Sequence, residues 1–146
     1  MDSKQTLHDL ISRLPDCLRA MPADKIEHKS APNTWSVKEE LGHLLDSAAN
    51  NHQRIVRAQL EDKPAMPGYD GDAWVVLHRY QQRDWETLIG LWAALNSQLL
   101  VAAEAAPESA WPRTLTIADS APLTLQFVFD DYVRHMGFAI DDLMSL

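Results

Sequence analysis

The stretch GHLLDSAANNHQRI, residues 42–55, carries His43, Asp46, Ser47, Asn50, Asn51 and His52 in a segment whose leucines and alanines mark a core-facing helix. At about 100° per residue, His43, Ser47, Asn50 and Arg54 fall on one strip beside the apolar stripe, with Asn51 and His52 closer to the stripe itself. Far along the chain, Asp131 and His135 stand one helical turn apart at the edge of a second apolar stripe. Imidazoles and carboxylates projecting from facing helices are how bundles assemble metal sites. If these two helices are neighbours, His43 and His135 face each other across the bundle. The same residues have a plainer use, as a hydrogen-bonded network. That is the expectation for Asn51 and His52, because buried polar groups must find partners.

Positioning such residues requires long helices, and the chain encodes them. Apolar side chains recur at three- and four-residue steps and glycine is scarce, with 5 in 146 residues. A first helix is predicted over roughly residues 3–21 on Leu7, Leu10, Ile11, Leu14 and Leu18, with a kink or restart at Pro15, which lacks a backbone donor. The second starts at the capping box Ser36-Val37-Lys38-Glu39 and runs to about Leu60. Pro64, Pro67, Gly68 and Gly71 mark a connection, followed by a short helical piece around AWVVLHRY. A third long helix starts near Asp84 and runs to about Ala105, and a fourth starts at Thr124, with Val128, Phe129, Tyr132, Met136, Ile140 and Leu143 inward. The second long connection between them is extended around Thr114 to Ile117. The expected fold is all-α, a four-helix bundle with two long crossover connections, in one domain over residues 1–146. Crossovers of this length permit parallel neighbours.

Composition removes several function classes. With 13 Lys+Arg against 21 Asp+Glu, net −8, a nucleic-acid backbone or an anionic membrane is not the expected partner. No apolar run is read as long enough to span a bilayer, and MDSKQTLHDL lacks a signal-peptide core, so a cytoplasmic protein is expected. The single Cys17 excludes an internal disulfide and a Cys-rich zinc site, and reads as a structural thiol. No phosphate loop, Gly-x-Ser-x-Gly elbow or His-Glu-x-x-His occurs. Trp92 has core spacing, whereas Trp74, after GYDGD, is placed to cover the mouth of a pocket. His8, His28 and His78 read as surface or loop residues.

NTWSVKEELGHLLDSAANNHQRIVRAQ, GYDGDAW and PLTLQFVFDDYVRHM together resemble the DinB/YfiT-like superfamily of metal-dependent enzymes. The resemblance covers the chain from Pro32 onward. It implies a four-helix bundle with two crossovers and a three-histidine metal site, one on the second helix and a His-x-x-x-His pair on the fourth. The first corresponds to His43 and the first of the pair to His135, but the third position holds Ala139. Phe138 and Ala139 stand where members with richer RHxEHH endings carry histidine. Catalytic zinc keeps three protein ligands plus water. Here Asp131 is the candidate substitute, with Asp46 or Asn50 as a further oxygen donor, a set compatible with Zn, Ni, Mn or Fe. The family implies thiol S-transfer or hydrolysis of a small-molecule substrate, and a homodimer. The rival is a metal-free member that binds a small molecule or another protein. Asp46, Ser47, Asn50, Asn51, His52 and Trp74 are the expected pocket residues in either case.

Overall fold

The structure is a computed structural model describing residues 2–145. Among the described residues six α-helices are present: α1 (Ser3–Arg19), α2 (Ala23–Ile26), α3 (Val37–Leu60), α4 (Gly71–His78), α5 (Trp85–Ala105) and α6 (Leu125–Met144). The long ones begin where the sequence places caps. Ser36 accepts from the Glu39 amide while the Glu39 carboxylate accepts from the Ser36 amide, a complete capping box on α3. Asp84 accepts from Thr87 at the start of α5, and Thr124 from Phe127 at the start of α6.

The four long helices pack as a bundle in which α1 and α3 each touch both α5 and α6. Side-chain contacts fix their directions. Arg19 at the end of α1 pairs with Glu86 at the start of α5, so those two are antiparallel. Gln59 near the end of α3 donates to the Ala102 carbonyl near the end of α5, so α3 and α5 run parallel. Ser3 and Asp130 join the starts of α1 and α6, making that pair parallel too. The long crossovers allow both arrangements.

The crossovers are tied together by a small sheet. Strand β1 (Ala65–Met66) pairs in parallel with β2 (Thr114–Ile117), which pairs antiparallel with β3 (Leu123–Thr124). Arg113 then reaches back to donate to the Ala58 and Glu61 carbonyls, satisfying acceptors at the end of α3. The core gathers Leu7, Leu41, Ile55, Leu88, Trp92, Leu99, Leu125 and Phe129, all at or near zero exposure.

Four expectations are corrected. α1 continues through Pro15 without a restart, because Leu14 and Leu18 on either side are both buried in the core. PADKIEHKSAPNTW, between α1 and α3, reads in the sequence as an irregular connection but contains the short helix α2. α5 is, by length and composition, apolar enough to cross a membrane; here it packs against α1 and α3 within the bundle. Cys17 lies on the exposed side of α1 and packs against no core.

Candidate functional site

Asp46 is the centre of the polar patch on α3. It is 2% exposed, one turn beyond His43, and faces the first crossover. The Tyr80 hydroxyl donates to Asp46 Oδ1 at 2.6 Å, and His78 Nδ1 lies 3.1 Å from the same oxygen without hydrogen-bond alignment. Asp46 Oδ2, His78 Nδ1 and His43 Nδ1 are all buried and unpartnered. Burial raises the Asp46 pKa above the ordinary carboxylate value, opposed by the Tyr80 hydrogen bond and by His78 and His43. Burial likewise lowers the His43 pKa, with Asp46 and Asp72 acting the other way. The Tyr80 hydroxyl is held protonated by burial and by its bond to Asp46.

Tyr80 reaches Asp46 because Gly42 makes room. A Cβ at Gly42 would sit 2.0 Å from the Tyr80 ring, so the aromatic face lies directly on the α3 backbone. The turn that carries Tyr80 is fastened on its other side. Ser36 hydrogen-bonds the Gln81 side chain, Gln81 donates to the Glu27 carbonyl, and Lys38 pairs with Glu27. The crossover is thus held against α3 at several points, and its two aromatic residues keep fixed positions. Trp74 and Tyr80 flank His78, at ring-centre separations of 5.9 Å and 5.1 Å.

His43 is half-buried. Its ring lies 4.8 Å from that of Trp35, and a Cβ at Gly71 would come within 3.3 Å of its Cε1. The start of α4 therefore presses on one histidine, while its end supplies another, His78. A cleft of about 340 Å³ opens between α3, α4 and α5, lined by Leu45, Ala49, Trp74, His78, Arg83 and Leu95 with Asp46 beneath. Trp74 thus lines a pocket, as its position after GYDGD suggests. His78 was expected on the surface or in a loop and instead belongs to this group, beside a carboxylate 32 positions upstream that no local spacing reveals.

The remaining predicted residues lie elsewhere. Asn51 is buried and donates to the Ser47 carbonyl of its own helix; Asn50 does the same to Asp46. His52 is half-buried on α3, away from the cleft lining. Arg54 is buried, donates to the Pro67 carbonyl and lies over the Tyr69 ring. On α6, His135 has a side chain 68% exposed, with Nδ1 3.0 Å from the Asp131 carbonyl oxygen and 3.3 Å from its Oδ2. Asp131 is also engaged by Arg134. Ala139 is partly buried against the core. α3 and α6 are neighbours; His43 meets Trp35 and the start of α4, whereas His135 meets Asp131 of its own helix. Among the described residues no three His, Cys, Asp or Glu side chains come together to hold a metal ion. The residues present do not fit a three-ligand centre.

The chain is similar to several known proteins. A Bacillus subtilis protein named "Putative metal-dependent hydrolase YfiT" is 26% identical over 98 residues, covering 62% of this chain and 55% of the relative. A Halalkalibacterium halodurans protein named "Putative metal-dependent hydrolase BH0277" is 31% identical over 75 residues, 49% of this chain and 44% of its own length. The chain thus spans about half the length of these curated relatives. The solved YfiT structure, described as a probable metal-dependent hydrolase with an unusual four-helix bundle topology, superposes with a TM-score of 0.87 at 22% identity. It covers 98% of this chain and 82% of that one. A mycothiol-dependent maleylpyruvate isomerase shares the fold at a TM-score of 0.75 and 15% identity, over 95% of this chain and 58% of its own. The profile of the DinB superfamily matches residues 6–138, and the chain belongs to that superfamily.

Proposed function

We propose that this chain is a divergent DinB-superfamily protein that takes up a small molecule beside the α3–α4 crossover and lacks a tightly held metal centre. One observation carries this reading. The family-position donors form no group of three among the described residues: His43 lies beside Trp35 under the start of α4, His135 stands exposed on α6, and Ala139 supplies no ligand. Two imidazoles and a carboxylate spread in this way leave a divalent ion short of the three protein donors that catalytic sites use. The polar groups that do converge are those around Asp46, at the base of a cleft.

A second reading is a metal-dependent thiol S-transferase or hydrolase with a reduced site. It is favoured by the buried, unpartnered Nδ1 of His43 and by the names of the relatives. His43 and His135 would hold the ion, with Asp131 as the oxygen donor, and the ion would supply Lewis-acid activation of the nucleophile.

Metal content decides between them. Tag-free protein purified without chelator is offered Zn, Ni, Mn and Fe, dialysed, and assayed by elemental mass spectrometry. Retention well below one equivalent, unchanged in His43→Ala, supports the metal-free reading. Near-stoichiometric retention that disappears in His43→Ala overturns it in favour of the enzyme.

A further inference from the structure

We propose that the cleft between α3, α4 and α5 binds a small monocarboxylate with an apolar body, its carboxylate held by Arg83 and His78. The inference names a ligand class for the small-molecule reading above and rests on it. The walls of the cleft are Leu45, Ala49, Trp74, Leu91, Ala94 and Leu95, with a volume of about 340 Å³, at the lower end of ligand-site sizes. An apolar body of modest size is what such walls take from water.

The polar contacts come from two side chains. Arg83 lines the cleft and makes no ion pair among the described residues, in a chain with 21 acidic against 13 basic side chains. A guanidinium beside apolar walls favours a planar, bidentate anion, and a carboxylate matches it. His78 belongs to the same lining. Its Nδ1 is turned inward, 3.1 Å from the Asp46 carboxylate, while 39% of its side chain remains exposed. The outer edge of the ring, carrying Nε2, is the part left for a ligand.

Asp46 does not compete for the role of ligand partner, because it is 2% exposed and its Oδ1 is already taken by Tyr80. It stands behind His78 and backs the ring against the cleft wall, and a ligand carboxylate is held only by a proton that Nε2 donates. Arg83 and His78 touch the ligand. Asp46 and Tyr80 are positioning residues.

The test uses whole protein, stripped of metal with chelator and then assayed with and without added Zn. Phenylacetate, 2-phenylethanol and phenethylamine serve as probes of matched shape and different charge, followed by two-dimensional amide NMR and calorimetry. Phenylacetate is expected to shift the amides of Ala49, Ala94 and Leu95 and the Trp74 indole, and to bind about tenfold tighter than the alcohol, regardless of Zn. Arg83→Gln and His78→Gln should each weaken it by about tenfold. Ala94→Trp, at an exposed lining position, should block it without disturbing the fold. Equal binding of the alcohol, tighter binding of the amine, or full affinity in Arg83→Gln overturns the carboxylate assignment while leaving a small-molecule cleft. Silence of the cleft amides toward all three probes overturns both. A phenylacetate response that appears only with Zn moves the site to the metal reading.

Discussion

At the scale of single residues, the buried carboxylate of Asp46 governs how the site behaves. Its Oδ1 accepts from Tyr80, so Tyr80→Phe removes the aligned donor that this oxygen has among the described residues. The expected cost is about 1–3 kcal/mol, read as a lower urea midpoint with an unchanged slope. The pH dependence has a definite sign. Burial raises the folded-state pKa of Asp46 above its unfolded value, so the native state holds its proton more tightly than the unfolded chain. Its contribution is therefore fully present below the ordinary carboxylate range and is lost as pH rises through the raised value. His43 acts in a higher window and in the opposite sense. Its pKa is lowered on folding, so stability from this group is complete above the ordinary imidazole value and falls as pH drops through that value toward the lowered one. Asp46→Asn should therefore remove the downward slope just above the carboxylate range, whereas His43→Phe should flatten the imidazole window. Urea unfolding of both variants across pH separates the two. Slopes unchanged from the parent would show that neither group titrates differently on folding.

At the scale of elements, the site depends on how closely the first crossover can approach α3, and Gly42 sets that distance. In Gly42→Ala the new methyl would meet the Tyr80 ring at 2.0 Å, against the α3 backbone on one side and a fastened turn on the other. Overpacking of this kind costs about 1–3 kcal/mol. It should also separate Tyr80 from Asp46, visible as a shifted Tyr80 ring resonance and weaker thermal stability. Local signals of this sort explain what could be read in advance. Ser36, Asp84 and Thr124 announce helix starts because a cap acts within three residues, and all three bond as their spacing requires. The restart allowed at Pro15 does not occur, because the burial of Leu14 and Leu18, a tertiary effect, outweighs the lost donor. His78 escaped notice because its partner lies on another element and the crossover has no period to align them. For His135, periodicity assigns an edge of the α6 stripe but not whether that edge faces α3 or water; the side chain faces water.

At the scale of the molecule, parallel neighbours α3 and α5 force the chain to travel the length of the bundle between them, whereas α5 and α6 run antiparallel, so the connection between them stays at the end where α3 and α5 finish. Both long connections expose backbone groups and lose entropy, and the small sheet lets the two satisfy each other. Thr116 donates to the Pro64 carbonyl and Ala118 to the Met66 carbonyl, joining β2 of the second crossover to β1 of the first. Those bonds sit immediately before Pro67, whose carbonyl is held by Arg54, and before α4, which delivers Gly71 to His43 and His78 to Asp46. A break in the sheet should therefore be felt in the cleft, although the two are separated along the chain. Thr116→Pro removes one of these donors and leaves the Pro64 carbonyl, at a buried residue, without it, at a cost of about 1–3 kcal/mol. Hydrogen exchange should then rise in residues 64–78 as well as in β2, with the amides of α1 still protected. Faster exchange confined to β2 would mean that α4 is positioned by its contacts with α3 alone, and that the sheet only ties the loops.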